Sequence, residues 1–271
     1  MTTVAVIGAT GTAGSRVLAR LTGRGVATVK VSRGHGVDLI TGRGLTEALE
    51  GVDIVIDVSN PVPDDDRSDL TDTISAATHN LVGACASRGV QRLVVSTMAG
   101  IENPEFDGAP CFEAKRAAEK IVLEGPVRAT IVKSTQWHES ATRRDLVICR
   151  NGEAAVQDWL IQPIAADTVA DVLVEAALGQ TRAPRTITGP QVIRLPELAS
   201  KLFAARGDRR RVRAVQPASI PLAAGGLLAP DHAVVLGPDV DTWLNTLAVG
   251  TISSGHPPSS ELPGRRIHHR K

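Results

Sequence analysis

Hydrophobic and polar positions follow two alternating periods through the first half of the chain. TVAVIGA (3–9) is an apolar run of strand length, and SRVLARLTGRG (15–25) sets Val17, Leu18 and Leu21 on one helical face. ATVKVSR (27–33) predicts a second strand, a short helix follows near Leu45–Leu49, and VDIVIDVS (52–59) predicts another strand. From 68 to 87 the residues Leu70, Ile74, Ala77, Leu81 and Ala84 recur at steps of three and four, the stripe of a long amphipathic helix. VQRLVVST (90–97) then reads as a strand, 112–124 as a helix and VRATIVKST (127–135) as a strand. Strands separated by helices, without hairpin signals between them, pair in parallel through right-handed crossovers. The expected fold is α/β, a doubly wound parallel sheet.

After residue 135 the periodicity weakens. AADTVADVLVEAALG (165–179) predicts a helix closed by Gly179, RTITGP (185–190) a short strand, and LPELASKLFAARG (195–207) a helix with Pro196 in its first turn. Such pieces predict a small substrate lobe, built mainly from 136–250, over the C-terminal edge of the sheet. Residues 1–250 then form a single domain. Residues 251–271, rich in Ser, Pro, Gly and basic side chains without periodicity, are expected to be a disordered tail.

Composition narrows the core and the partners. Aromatic residues make up only 2% of the chain, so Val, Ile, Leu and Ala must build the core, which suits a sheet buried on both faces. A net charge of +1 gives no global attraction to nucleic acid or an anionic membrane. The basic run GDRRRVR (207–213) has no aromatic neighbour in sequence and reads as solvated surface. No apolar run approaches membrane-span length, and MTTVAVIGA enters a strand without a signal peptide. Cys85, Cys111 and Cys149 are widely spaced, without a metal-ligand pattern, so no metal is expected; Cys149, in DLVICR, reads as core. Reduced thiols and a cytoplasmic location follow.

The chemistry begins at GATGTAG. Gly8, Gly11 and Gly14 follow the first strand and open the first helix, where glycines permit a tight turn and let the backbone approach a pyrophosphate at a helix N-terminus. Thr10 and Thr12 of the same loop join this cofactor-binding set, and the fold becomes Rossmann-type. About 20 residues on, an NAD site usually places an acid that binds the ribose hydroxyls. Ser32 and Arg33 stand there instead. Arg33 suits a 2′-phosphate, which favours NADP(H) over NAD(H); its bland alternative is a surface arginine. Arg16, in the first helical turn, either assists or points to solvent. Asp38, in GVDL, is a candidate contact to the adenine from a third strand, and Ser59 and Asn60 end the strand that runs along the cofactor's ribose side.

GATGTAG together with VVSTMAG (94–100), FEAKRAAE (112–119) and STQWHE (134–139) resembles the atypical short-chain dehydrogenase/reductases, and among them the NmrA-like NAD(P)H-binding group. The resemblance covers residues 1 to about 205. It implies a Rossmann domain with a small C-terminal lobe, NADP(H) more often than NAD, and a membership divided between reductases and redox-sensing regulators. It gives Lys115 a ribose-binding and catalytic role, and Ser96 or Thr97 that of the hydroxyl near the nicotinamide.

One position departs from the family. Its proton-donating tyrosine falls on Cys111, in a chain that has no tyrosine. As a thiolate beside Lys115 this cysteine is a poor donor, and it is shorter than a phenol. It is either a substitute acid or a small residue at a disused position. His138, after the sixth strand at the expected substrate mouth, is another candidate acid, with Trp137 a candidate wall; both also read as ordinary lobe residues. The reading is therefore an NADP(H)-binding reductase of a small carbonyl or quinone-like molecule, the alternative a non-catalytic sensor. The expected partner is a small-molecule substrate, without nucleic acid or membrane; a homodimer or a regulated protein partner stays open.

Overall fold

The computed structural model describes residues 2–63, 68–143, 146–179, 185–217 and 219–252. Its first half alternates as the pattern predicts: β1 (Thr3–Ile7), α1 (Thr12–Gly23), β2 (Ala27–Val31), α2 (Leu45–Ala48), β3 (Ile54–Asp57), α3 (Leu70–Ser87), β4 (Arg92–Met98), α4 (Pro110–Glu124) and β5 (Ala129–Ser134). The second half adds β6 (Val147–Arg150), β7 (Glu153–Gln157), β8 (Leu160–Ile161), α5 (Ala166–Leu178), β9 (Arg185–Thr188), β10 (Ile193–Arg194), α6 (Leu195–Ala205), β11 (Arg211–Val215), α7 (Ile220–Ala224), β12 (Val234–Val235) and α8 (Val240–Ile252).

The main sheet has seven strands in the order β12-β9-β5-β4-β3-β1-β2, every pair parallel. Successive side chains point to opposite faces, so each strand feeds two cores. Val4, Val6, Ile56, Val94 and Val132 pack with α1 and α5, and Ala5, Ile7, Val55, Leu93 and Ile131 pack under α2, α3 and α4. Burial on both faces explains why these strands are continuous apolar runs rather than alternating ones. The chain leaves β1 for β2 on one side and returns to β3 on the other. This reversal of strand order places a crevice beyond the carboxyl ends of the strands. The sheet ends at β2, so Asp38 belongs to the loop between β2 and α2, not to a third strand as expected.

The second half of the chain is shared between the main sheet and a lobe. Residues of α5, β9 and β12 return to the main sheet, while a three-stranded sheet (β11-β7-β6) and the β8–β10 pair form the lobe with α6 and α8. An antiparallel hairpin joins β6 to β7 through Asn151 (φ 49°) and Gly152 (φ 76°), both left-handed, as a two-residue hairpin turn needs. Cys149 sits on β6 with its side chain exposed, which corrects its reading as core: only Val147 of that strand turns inward. The basic run lies exposed on the surface, as read from the sequence. Arg211 and Arg213 lie on β11, paired parallel to β7, and Arg210 stacks on Phe203 at 5.0 Å while binding Asp208. The expected tail lies almost wholly outside the described residues; its first two positions close α8.

Candidate functional site

One cleft of about 690 Å³ runs along the carboxyl ends of β1 to β5. At one end lies the loop from β1 to α1. Gly8 is left-handed (φ +79°), and a Cβ there would stand 3.0 Å from the Ser59 backbone nitrogen, so only glycine lets β1 pass this close to the end of β3. A Cβ on Gly14 would fall 2.1 Å from the Gly8 carbonyl oxygen, which is why α1 packs tightly on the loop. Gly11, at φ −79°, is the N-cap of α1 and brings no capping side chain. The first amides of α1 are therefore left for a ligand, and the positive end of the helix favours an anion. Thr10, Gly11 and Thr12 line the cleft here.

The end of β2 supplies the next wall. Arg33 lies exposed at the rim, and Ser32 Oγ meets His35 Nδ1 at 2.7 Å. Asp38 also lines the cleft, with its Oδ1 accepting from the Ile40 N–H at 2.9 Å. Burial pushes its carboxyl up, but hydrogen bonds from Thr41 and Ile40 and the charge of Arg43 outweigh it and hold it below the usual range. Arg16 does not line the cleft. Its Nε donates to Asp167 at 2.8 Å and it pairs with Glu139 at 3.2 Å, tying α1 to α5 and to the turn that opens the lobe.

Toward the middle, Ser59 and Asn60 border the cleft, and Lys115 Nζ donates to Asn60 Oδ1 at 2.8 Å. Sequence reasoning missed Asp57, which sits below them and accepts from the Ser59 N–H at 2.8 Å. Burial raises its carboxyl against the opposing pull of Ser59 and Lys115. Burial likewise lowers Lys115, helped by Arg143 and opposed by Asp57, Cys111 and Glu119. Ser96 and Thr97 line the same region. Thr97 is 9% exposed, and its hydroxyl makes no hydrogen bond of normal geometry although it lies close enough to Glu119 to oppose that carboxyl's burial-driven rise. Cys111 is exposed on the first turn of α4, facing the cleft one turn before Lys115, and the stacking of Phe112 on Phe106 (4.1 Å) anchors that turn.

His138 is not brought to the cleft. It is fully buried, its backbone N–H donates to Ile164 O, its Nε2–H donates to Pro163 O at 3.1 Å, and its ring lies 4.8 Å from that of Trp243. The polar look of STQWHE hides a side chain turned into the lobe core, which corrects its reading as an acid at the mouth. Burial lowers its pKa to about 4. The folded pKa lies below the unfolded value near 6.5, so the unfolded chain binds the extra proton between them. Stability should therefore fall as pH drops from about 6.5 toward 4, by roughly 3 kcal/mol in all. Thermal melts between pH 7 and pH 4.5 check this; a His138→Gln variant with the same pH slope as the wild type would remove the assignment.

Beyond Lys115 the cleft continues under the lobe. Met98, Gln136, Trp137, Ser140, Arg143, Leu146, Trp159, Leu222 and Leu227 line it, and of these only Trp137 was singled out in the sequence. Trp159 and the two leucines come from distant segments and carry no local signal. The Gln136 side-chain amide, which lines the cleft, has no hydrogen-bond partner among the described residues.

Residues 8–179 match the family model described as NAD(P)H-binding. Comparison with curated proteins yields no match. Among solved structures, a short-chain dehydrogenase/reductase superfamily protein from Agrobacterium tumefaciens with bound NAD aligns over 93% of this chain and 97% of its own, at 15% identity and a TM-score of 0.65. UDP-N-acetylglucosamine 4-epimerase from Bacillus cereus aligns over 95% and 99%, at 14% identity and 0.65. A dTDP-4-dehydrorhamnose reductase from Clostridium acetobutylicum aligns over 93% and 100%, at 12% identity and 0.67. At these identities the likeness is one of fold. No helix among the described residues is long and apolar enough to cross a membrane.

Proposed function

Because the chain belongs to the NAD(P)H-binding family, we propose that it is an NADP(H)-dependent reductase of a small carbonyl or quinone-like substrate, with Lys115 as proton donor in place of the absent tyrosine. The observation that carries this is a single cleft holding the glycine loop at one end and the Lys115 ammonium further along. The residues fit the dinucleotide: Gly8 and Gly14 leave no room for a Cβ, the start of α1 is uncapped, and Arg33 stands where an acid would repel a 2′-phosphate. When bound, the dinucleotide supplies a hydride to the carbonyl carbon. Lys115 gives one N–H to Asn60 and keeps two, one for the ribose and one for the substrate oxygen. Its lowered pKa makes the ammonium a better acid than an exposed lysine. The sheet and the lobe act as one unit, the sheet holding the cofactor and the lobe covering the substrate.

Arg33 tests the cofactor choice. NADPH should bind more tightly than NADH, and Arg33→Asp should abolish or reverse the preference by about 1.5–3 kcal/mol, the worth of a hydrogen bond to a charged group. Calorimetric titration of both cofactors decides; equal wild-type affinities would sink the choice. The sensor reading keeps one observation in its favour, the exposed Cys111 where the family places its acid. It predicts tight NADPH binding with no turnover of any carbonyl compound.

A further inference from the structure

The lobe half of the cleft has a chemistry of its own. Trp137 donates its indole N–H to Ser134 Oγ at 2.9 Å, and Trp159 donates its own to Gln157 Oε1 at 3.0 Å. Both indoles thus spend their polar atom within the protein, and what they offer a ligand is ring surface. Leu222 and Leu227, 8% and 1% exposed, pack with Phe106 and Phe112, and Met98 and Trp159 lie against the same cluster. This wall is the surface of a packed apolar core. Ser140, the exposed Arg143 and the side-chain amide of Gln136 contribute polarity. The only carboxylate lining the cleft among the described residues is Asp38, on the loop after β2.

Resting on the reductase reading above, we infer that this half binds a planar, ring-sized aromatic ketone or aldehyde and discriminates against nucleotide sugars, the chemistry named for several proteins that share the fold. A sugar nucleotide would bring a pyrophosphate, a ribose and a hexose, and each hydroxyl buried against indole and leucine without a partner loses its water without compensation. An aromatic ring loses nothing there and gains stacking and apolar contact. The carbonyl is the ligand's one polar group, and Lys115, at the inner end of the apolar wall, is there to meet it.

Calorimetry on the full chain saturated with NADP⁺ tests the inference, with 2-acetylnaphthalene as the aromatic ketone and UDP-glucose as the competing class. The ketone should bind saturably and UDP-glucose should not. Leu222→Asp should weaken the ketone at least about tenfold, the scale of a misplaced group in an apolar pocket, and leave the NADP⁺ affinity unchanged. If Leu222→Asp melts well below the wild type, Leu222→Ala replaces it, with a smaller but measurable loss expected. UDP-glucose binding as tightly as the ketone, no ketone binding, or unchanged ketone affinity in a folded Leu222 variant would each overturn the substrate class. Failure to bind NADP⁺ at all sinks the underlying reductase reading instead, so the two are told apart in the first titration.

Discussion

Lys115→Met is expected to lower kcat for carbonyl reduction by about 10²–10⁴-fold, the usual worth of a general acid, while Cys111→Ala leaves it almost unchanged. The two residues lie one turn apart on α4, and both face the cleft. They differ in what they can give. Lys115 carries three N–H donors, of which one is committed, to Asn60, among the described residues. A thiol is a weak donor, and Cys111 reaches less far than the phenol whose place it takes. The pH dependence follows from the direction of the lysine's shift. Burial lowers Lys115, so its proton is lost at a lower pH than that of an exposed lysine. Reduction should therefore decline as pH rises through that lowered value, and remain flat below it. Lys115→Arg should remove this decline, because a guanidinium stays charged, and should turn over slowly at every pH because it does not release its proton. NADPH affinity separates chemistry from binding: Lys115→Met should change it far less than it changes kcat. Full turnover in Lys115→Met, or a crippling Cys111→Ala, would return the acid to the cysteine.

The sequence made the glycine-loop half of this cleft readable and hid most of the lobe half. β1 to β5 and the helices between them are legible because both sheet faces are buried, which forces continuous apolar runs such as TVAVI and RLVVSTM. The glycines are legible because their need is local: Gly8 and Gly14 meet atoms of the same loop or of the next strand end. The lobe follows other rules. β8, β10 and β12 are two residues each and exist because a partner strand holds them, which no local pattern announces. The Asn151–Gly152 turn between VICR and EAAVQ was a readable hairpin signal, but the strands beside it are half exposed and carry little apolar contrast. His138 misleads for a related reason. Its partner Trp243 lies on α8, far along the chain, and only the folded lobe shows that the imidazole is a core group. The lobe wall of the cleft is built the same way, from Trp159, Leu222 and Leu227, so composition of the pocket waits on the fold.

Gly11→Val and Gly14→Ala should fail in opposite ways, and the contrast tests the glycine loop more sharply than either alone. Gly11 has an ordinary φ of −79°, and an added Cβ would meet only the Gly8 carbonyl oxygen, at 3.3 Å. That contact asks for a shift of a few tenths of an ångström, so the fold should survive and the melting temperature should move little. The rest of the valine projects into the space beside the uncapped start of α1, where a pyrophosphate would take its hydrogen bonds. NADPH affinity should fall on the order of 100-fold or more, ~3 kcal/mol. Gly14 presents the reverse case. Its Cβ would overlap the Gly8 carbonyl oxygen at 2.1 Å and approach Ala9 Cα at 2.9 Å, both of them backbone atoms with no rotamer to escape into. α1 must move away from β1, and Val17, Leu18 and Leu21 lose their packing with it. Gly14→Ala should therefore cost stability first, about 3 kcal/mol or more, as overpacking against rigid neighbours does. Urea unfolding beside calorimetric titration resolves the pair. A Gly11→Val protein that binds NADPH normally would remove the cofactor from this loop, and a Gly14→Ala protein as stable as the wild type would show that the helix does not depend on the close approach.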